Sequence, residues 1–110
     1  MRQKEIYWVN LEPIRGKEQG GKRPFVIISG NTMNEHFGVM IGCPISSKIK
    51  NYAGCVKLQK NRQNNLKTDS EIITFQVRTI SKERLLKKIG MISDEELKSI
   101  FKGLSDVLTY

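Results

Sequence analysis

The apolar residues of this chain come in short runs broken by turn formers, and that spacing narrows the folds open to it. The longest uninterrupted run is Phe25-Val26-Ile27-Ile28, far short of the ~20 apolar residues that cross a bilayer as a helix. Residues 6–11 are apolar and aromatic and end at Pro13 and Gly16, and a polar loop with Gly20-Gly21 covers 17–22. Residues 25–29 form a compact β-branched run, expected to be a strand buried on both faces. Gly30-Asn31 turns the chain, and 39–45 reads as a further strand interrupted by Gly42. Two more strands are expected at 55–58 and 71–77, on either side of a polar loop at 59–69. Strands recurring at roughly 10–15 residues predict a small, strongly bent antiparallel barrel.

The C-terminus changes character. Ser93 with Glu96 forms a capping box, and Ile92 with Leu97 a hydrophobic staple. Leu97, Ile100, Phe101, Leu104, Val107 and Leu108 follow at helical spacing as one apolar stripe. Gly103 weakens that helix by ~1 kcal/mol relative to alanine, which packing must offset. A short helical turn is expected at 81–86. The expected fold is mainly β with a C-terminal helix, in a single domain spanning 1–110. A chain of this length buries roughly two thirds of its unfolded surface, enough to fold without disulfides or a metal.

Several chemistries are closed to it. Met1-Arg2-Gln3-Lys4-Glu5 has no apolar stretch behind it and is not expected to act as a signal peptide. Cys43 and Cys55 are therefore expected as reduced thiols of a cytoplasmic protein. Two isolated cysteines and the lone His36 cannot build a tetrahedral zinc site. Neither a phosphate-loop motif nor a dinucleotide glycine fingerprint is present. Chemistry must run on Arg, Lys, Glu, Asp, Ser or Thr, with no cofactor expected.

Charge narrows the partners. The chain carries 19 Lys and Arg against 11 Asp and Glu, a net +8. Residues 1–92 hold 17 basic and 7 acidic side chains; residues 93–110 hold 2 and 4. Between Glu35 and Asp69 there is no carboxylate, while Lys48, Lys50, Lys57, Lys60, Arg62 and Lys67 all lie there. The basic face belongs to the strands and their loops. It either serves phosphate contact or is a plain solvated surface.

At this point the sequence resembles a known family. Ile6-Tyr7-Trp8-Val9-Asn10-Leu11-Glu12-Pro13, followed by Gly16-Lys17-Glu18-Gln19-Gly20-Gly21-Lys22-Arg23-Pro24-Phe25-Val26-Ile27-Ile28, resembles the opening of the MazF/PemK toxins. Pro44-Ile45-Ser46-Ser47 falls where that family has a Pro-Ile-Thr-Ser-type segment. Asp69-Ser70 through Gln76-Val77-Arg78-Thr79-Ile80 matches a late strand and the turn after it, and Ile89-Gly90 with an amphipathic helix completes the order. The resemblance implies an SH3-like small barrel that forms a homodimer, as in the related gyrase-poisoning toxins. It also implies a metal-independent endoribonuclease that cuts single-stranded mRNA at short motifs and is restrained by a cognate antitoxin.

Cleavage of RNA without a metal uses the ribose 2′-OH as an internal nucleophile on the adjacent phosphate, giving 2′,3′-cyclic phosphate and 5′-OH ends. The protein must help deprotonate the 2′-OH, neutralise the phosphorane and protonate the leaving oxygen. Arg23 leads the catalytic candidates: its fork of donors suits a phosphate, and Pro24 restrains the backbone beside it. With a pKa above ~12, arginine serves better as an electrostatic stabiliser than as a proton carrier. Ser46 stands where the resemblance implies a threonine against the scissile phosphate; it keeps the hydroxyl but loses the β-branch that fixes the rotamer. Glu18 could orient Arg23, accept a proton, or be an ordinary loop carboxylate.

Lys17, Gln19, Lys22, Ser47 and Lys48 are candidate RNA contacts, and Ser47 could also stand in for Ser46. Asn31, Ser70 and Gln76 are candidate base readers, and Phe37, Tyr52 or Phe75 candidate stacking platforms. Some plasmid-encoded relatives carry a histidine where this chain has Lys17 and an acid where it has Phe75, so the acid–base set of that branch does not carry over. Trp8 is assigned to the core or a dimer interface, Arg78 to the turn after its strand, His36 to a surface loop, and both cysteines to small apolar core positions. A non-catalytic gyrase inhibitor of the same fold and a passive RNA-binding barrel remain as rival readings.

Overall fold

The run that reads as buried on both faces is the centre of the molecule. In the computed structural model, which describes every residue except Ile14 and Gln19, the run's first three residues end β2 (Lys22–Ile27) and Ile28 and Ser29 follow the strand. β2 is flanked by β1 (Glu5–Asn10) and β3 (Val39–Ser46), both antiparallel to it. Phe25 and Ile27 point into one core with Val9, Leu11, Met40 and Ile80. Val26 and Ile28 point into the other, with Ile6, Cys43, Ile45, Ile72 and Ile100. Alternation along an extended chain sends neighbours to opposite faces, so two cores demand an unbroken apolar run. Burial pushes the Cys43 thiol up to about 12, with the neighbouring Cys55 adding to the rise.

Among the described residues the sheet runs β4 (Val56–Leu58), β5 (Ser70–Ile72), β3, β2, β1, β7 (Leu85–Met91), and β6 (Arg78–Ser81) pairs with β3. β4 and β7 end the path without meeting, so the expected barrel is a bent, open sheet. The bending has visible causes. β3 gives Val39–Gly42 to β6 and Ile45–Ser46 to β5, with Pro44 near the change of partner. The β1–β7 register slips between Ile6 and Tyr7 and again before Val9, the local signature of bulges that coil a sheet. A Cβ on Gly42 would collide with the Val26 carbonyl and the Phe25 ring, so only glycine lets β3 press this closely.

The terminal helix, α2 (Asp94–Thr109), begins as expected: Ser93 Oγ accepts from the Glu96 amide at 3.1 Å, and Glu96 Oε1 accepts from the Ser93 amide at 2.8 Å. Leu97 and Ile100 are buried in the core with residues of the sheet, and Gly103 is buried beside them. Phe101 and Leu108 of the expected stripe face solvent. Gly103 lies against Gly54, whose carbonyl a Cβ there would strike.

Three local expectations are corrected, and a fourth is met over a shorter span. Gly30-Asn31 does not simply turn the chain: it opens a short helix, α1 (Asn31–His36), which includes the supposed loop residue His36. The single strand expected at 71–77 is β5, a 3-10 turn at Thr74–Gln76 and then β6. The helical turn expected at 81–86 is a 3-10 turn at Lys82–Arg84, and it feeds an unexpected strand, β7. Cys55 is half-buried at the rim instead of in the core.

Candidate functional site

Phe25 faces Pro44 across β2 and β3, and two residues further out the same strands carry Arg23 and Ser46. A cavity of about 620 Å³ opens at this end of the sheet. It gathers Arg23, Ser46, Glu18, Lys22, Ser47, Lys48 and Ser70 from the sequence candidates. Lys50 and Lys67 join its wall, so among the described lining residues five cations face one carboxylate, Glu18. Such a surface attracts a polyanion.

Arg23 is half-buried, and its Nε donates to the Gly20 carbonyl at 2.9 Å. Burial lowers its guanidinium below the usual arginine value, because desolvation disfavours the charged form. Ser46 Oγ accepts from the Lys48 amide at 3.1 Å and makes a long 3.5 Å contact to the Lys48 carbonyl. The hydroxyl thus bends the chain so that Lys48 follows directly onto the groove. Glu18 is exposed at the opposite rim, its Oε1 accepting from the Arg15 amide at 2.6 Å. Ser70 is buried at the floor, its Oγ donating to the Thr68 carbonyl at 3.0 Å.

The remaining candidates lie elsewhere. Gln76 Nε2 donates to the Lys17 carbonyl at 3.4 Å, so these two meet beside the groove and do not line it. Asn31 lies at the start of α1, where its Oδ1 accepts from the Gln3 amide at 2.8 Å. That bond ties down the N-terminal segment, away from the cavity. Gln19 lies outside the described residues. Phe37 is exposed at the end of α1, whereas Tyr52 lines the groove with its ring edge-on to Phe75, centroids 5.2 Å apart at 88°.

Two assignments change. Trp8, expected in the core or a dimer interface, is not in the core of the single chain: it is 38% exposed and lines the groove opposite Pro24. An aromatic residue in a strand reads as core, and only its position near the open end of the sheet exposes it. Glu71 was not a candidate, yet it is buried and accepts hydrogen bonds from the amides of Lys50 and Tyr52. Nothing in its sequence neighbourhood signals this. Among the described residues no three His, Cys, Asp or Glu side chains gather as metal ligands would.

The model of the PemK-like, MazF-like toxins of type II toxin–antitoxin systems matches residues 2–108. The chain belongs to this family. It is 35% identical over 102 residues to a protein of Staphylococcus saprophyticus named Endoribonuclease MazF, covering 91% of this chain and 84% of that protein. Its fold matches the crystal structure of MazF from Deinococcus radiodurans with a TM-score of 0.86 at 23% identity, over 100% of this chain and 97% of that one. It also matches a mycobacterial endoribonuclease in complex with its cognate antitoxin, with a TM-score of 0.80 at 18% identity over 98% and 94% of the two chains. Likeness at those identities speaks for the fold. Among the described residues no helix is long and apolar enough to cross a membrane.

Proposed function

We propose that this chain is the toxin of a type II toxin–antitoxin pair and a cytoplasmic, metal-independent endoribonuclease. It cuts single-stranded mRNA at a short sequence motif and leaves 2′,3′-cyclic phosphate and 5′-OH ends. The observation that carries this reading is the meeting of Arg23 and Ser46 at one lysine-walled cavity. The name of the staphylococcal relative, at 35% identity, supports it.

In the proposed reaction the 2′-OH attacks phosphorus, its proton leaves to a base, and the P–O5′ bond breaks as the leaving oxygen is protonated. Arg23 bears a charge already partly stripped of water, so a dianionic phosphorane beside it restores solvation as charge develops. Ser46 offers its hydroxyl proton to a phosphate oxygen, at the cost of only a 3.5 Å contact. Glu18, at the rim, is the carboxylate available for proton transfer. Lys22, Ser47 and Lys48 track the backbone, Gln76 beside the groove reaches a flanking base, and Tyr52 offers a stacking edge. The groove extends across a homodimer, and an acidic antitoxin segment occupies it by matching its charge.

The test is to incubate the protein with a long single-stranded RNA in EDTA, beside Arg23→Ala, and map fragment ends by mass spectrometry. Discrete cuts with cyclic-phosphate ends, absent from the variant, are expected. RNA that is bound but left intact overturns the nuclease reading and makes inhibition of DNA supercoiling the next assay.

A further inference from the structure

A buried carboxylate sits directly behind the basic wall of the groove. Glu71, in β5, is 1% exposed. Its Oε1 accepts from the Lys50 amide at 3.0 Å and its Oε2 from the Tyr52 amide at 3.1 Å. Both oxygens are thus committed to the backbone of one segment, residues 47–55, which has no helix or strand of its own. An ionised carboxylate is costly to bury unless such bonds satisfy it, and charge-assisted bonds of this kind are among the strong ones. That same segment supplies Lys48, Lys50 and Tyr52 to the groove.

We infer that Glu71 is a positioning residue for the substrate: it clamps the Lys50 and Tyr52 amides and so fixes the Lys48–Lys50–Tyr52 wall against Arg23 and Ser46. This rests on the groove being the RNA site. Two effects of Glu71 on RNA act with opposite signs. Its negative charge opposes a polyanion, so charge alone makes Glu71→Gln bind RNA more tightly. The clamp makes the same variant bind more weakly, because the glutamine NH₂ cannot accept from the second amide. The direction of change therefore separates the two.

The experiment pairs amide hydrogen exchange with cleavage kinetics on the full chain. In the unaltered protein the Lys50 and Tyr52 amides exchange more slowly than that of Asn51 between them. In Glu71→Gln both accelerate while β1 and β2 keep their protection, and KM for an RNA carrying a mapped cut site rises about tenfold with kcat within about twofold. Unchanged or lower KM overturns the inference. So does acceleration spread evenly over the sheet, which marks loss of stability alone. If the variant does not fold, the unaltered protein decides: rapid exchange at Lys50 and Tyr52 overturns the clamp. If the unaltered protein leaves RNA uncut, the nuclease reading falls by itself, and Kd for intact RNA by fluorescence anisotropy replaces KM in the same comparison.

Discussion

Two loops frame the groove, and they are held in different ways. Residues 47–55 are anchored along their length. Ser46 Oγ holds the Lys48 amide, Glu71 holds Lys50 and Tyr52, Thr74 Oγ1 donates to the Gly54 carbonyl at 2.7 Å, and Gly54 lies against Gly103 of α2. Residues 11–21 are anchored chiefly at their ends. The Leu11 amide donates to the Gly21 carbonyl at 3.0 Å, the Gly21 amide to Glu12 Oε1 at 2.7 Å, and Arg84 Nη1 to the Glu12 carbonyl at 2.6 Å. Inside that loop, among the described residues, the ties are the Arg15–Glu18 turn, the 3.4 Å bond from Gln76 and the 2.9 Å bond from Arg23 Nε to the Gly20 carbonyl. One wall is built into the core; the other, among its described residues, is held mainly where it joins β1 and β2. Arg23 belongs to neither, because β2 carries it, and a group that must meet a phosphorane is best held by a strand.

The comparison breaks first at Arg23. Arg23→Lys keeps a charge but loses the planar fork and the Nε bond to Gly20, so kcat for the proposed cleavage should fall about 10²–10³-fold while the thermal midpoint scarcely moves. A lysine variant that cuts at the original rate would reduce Arg23 to a point charge and shift the weight onto the two loops.

Glycine substitutions test the anchoring itself. A side chain at Gly103 meets the Gly54 carbonyl, so Gly103→Val should cost about 2–3 kcal/mol in denaturant unfolding and weaken RNA binding by displacing 47–55. Gly16, in the other loop, has φ +58 and open space around it. Gly16→Ala should cost only about 1 kcal/mol, from backbone strain alone. Equal losses would mean that the two loops are equally built in.

At Ser46 the effect is smaller and chemical. Ser46→Ala removes the acceptor for the Lys48 amide and the donor toward phosphate, and the cleavage rate should drop about 10- to 100-fold. Ser46→Thr keeps both and restricts the rotamer, so its rate should equal or exceed that of the unaltered protein. An alanine variant at full rate would leave Ser46 as a strand-end hydroxyl.

Legibility follows the same division. The helix α2 was legible because its capping box and buried Leu97 and Ile100 follow local rules. The run in β2 was legible because two cores leave no polar position in it. β7 was not: it is an edge strand exposing Leu86, Lys87 and Lys88, so no periodicity marks it. The break after β5 was hidden because Ile72, Ile73 and Thr74 are all buried and read as one strand; Thr74 leaves the sheet to reach Gly54, a contact between distant segments. In the site, Arg23 and Ser46 were legible through Arg23-Pro24 and Pro44-Ile45-Ser46-Ser47. Lys50 and Lys67 were visible only as members of an acid-free stretch. Trp8 was not seen as a groove residue and Glu71 was missed, because where each points depends on strands that meet it from elsewhere in the chain.

The smallest expected effect separates the loops by charge. Each phosphate neutralised on a single strand contributes about 0.7 to the slope of log K against log salt. Lys48 and Lys50 line the groove and are held there, so Lys48→Gln with Lys50→Gln should flatten that slope by about 1.4. Lys17 lies outside the cavity in the end-anchored loop, and Lys17→Gln should flatten it by well under about 0.7. The measurement is fluorescence anisotropy of an uncleaved RNA, in an Arg23→Ala background, from low to high salt. If Lys17 proves worth as much as either groove lysine, loop 11–21 closes onto the RNA, and the contrast in anchoring describes only the protein before its substrate arrives.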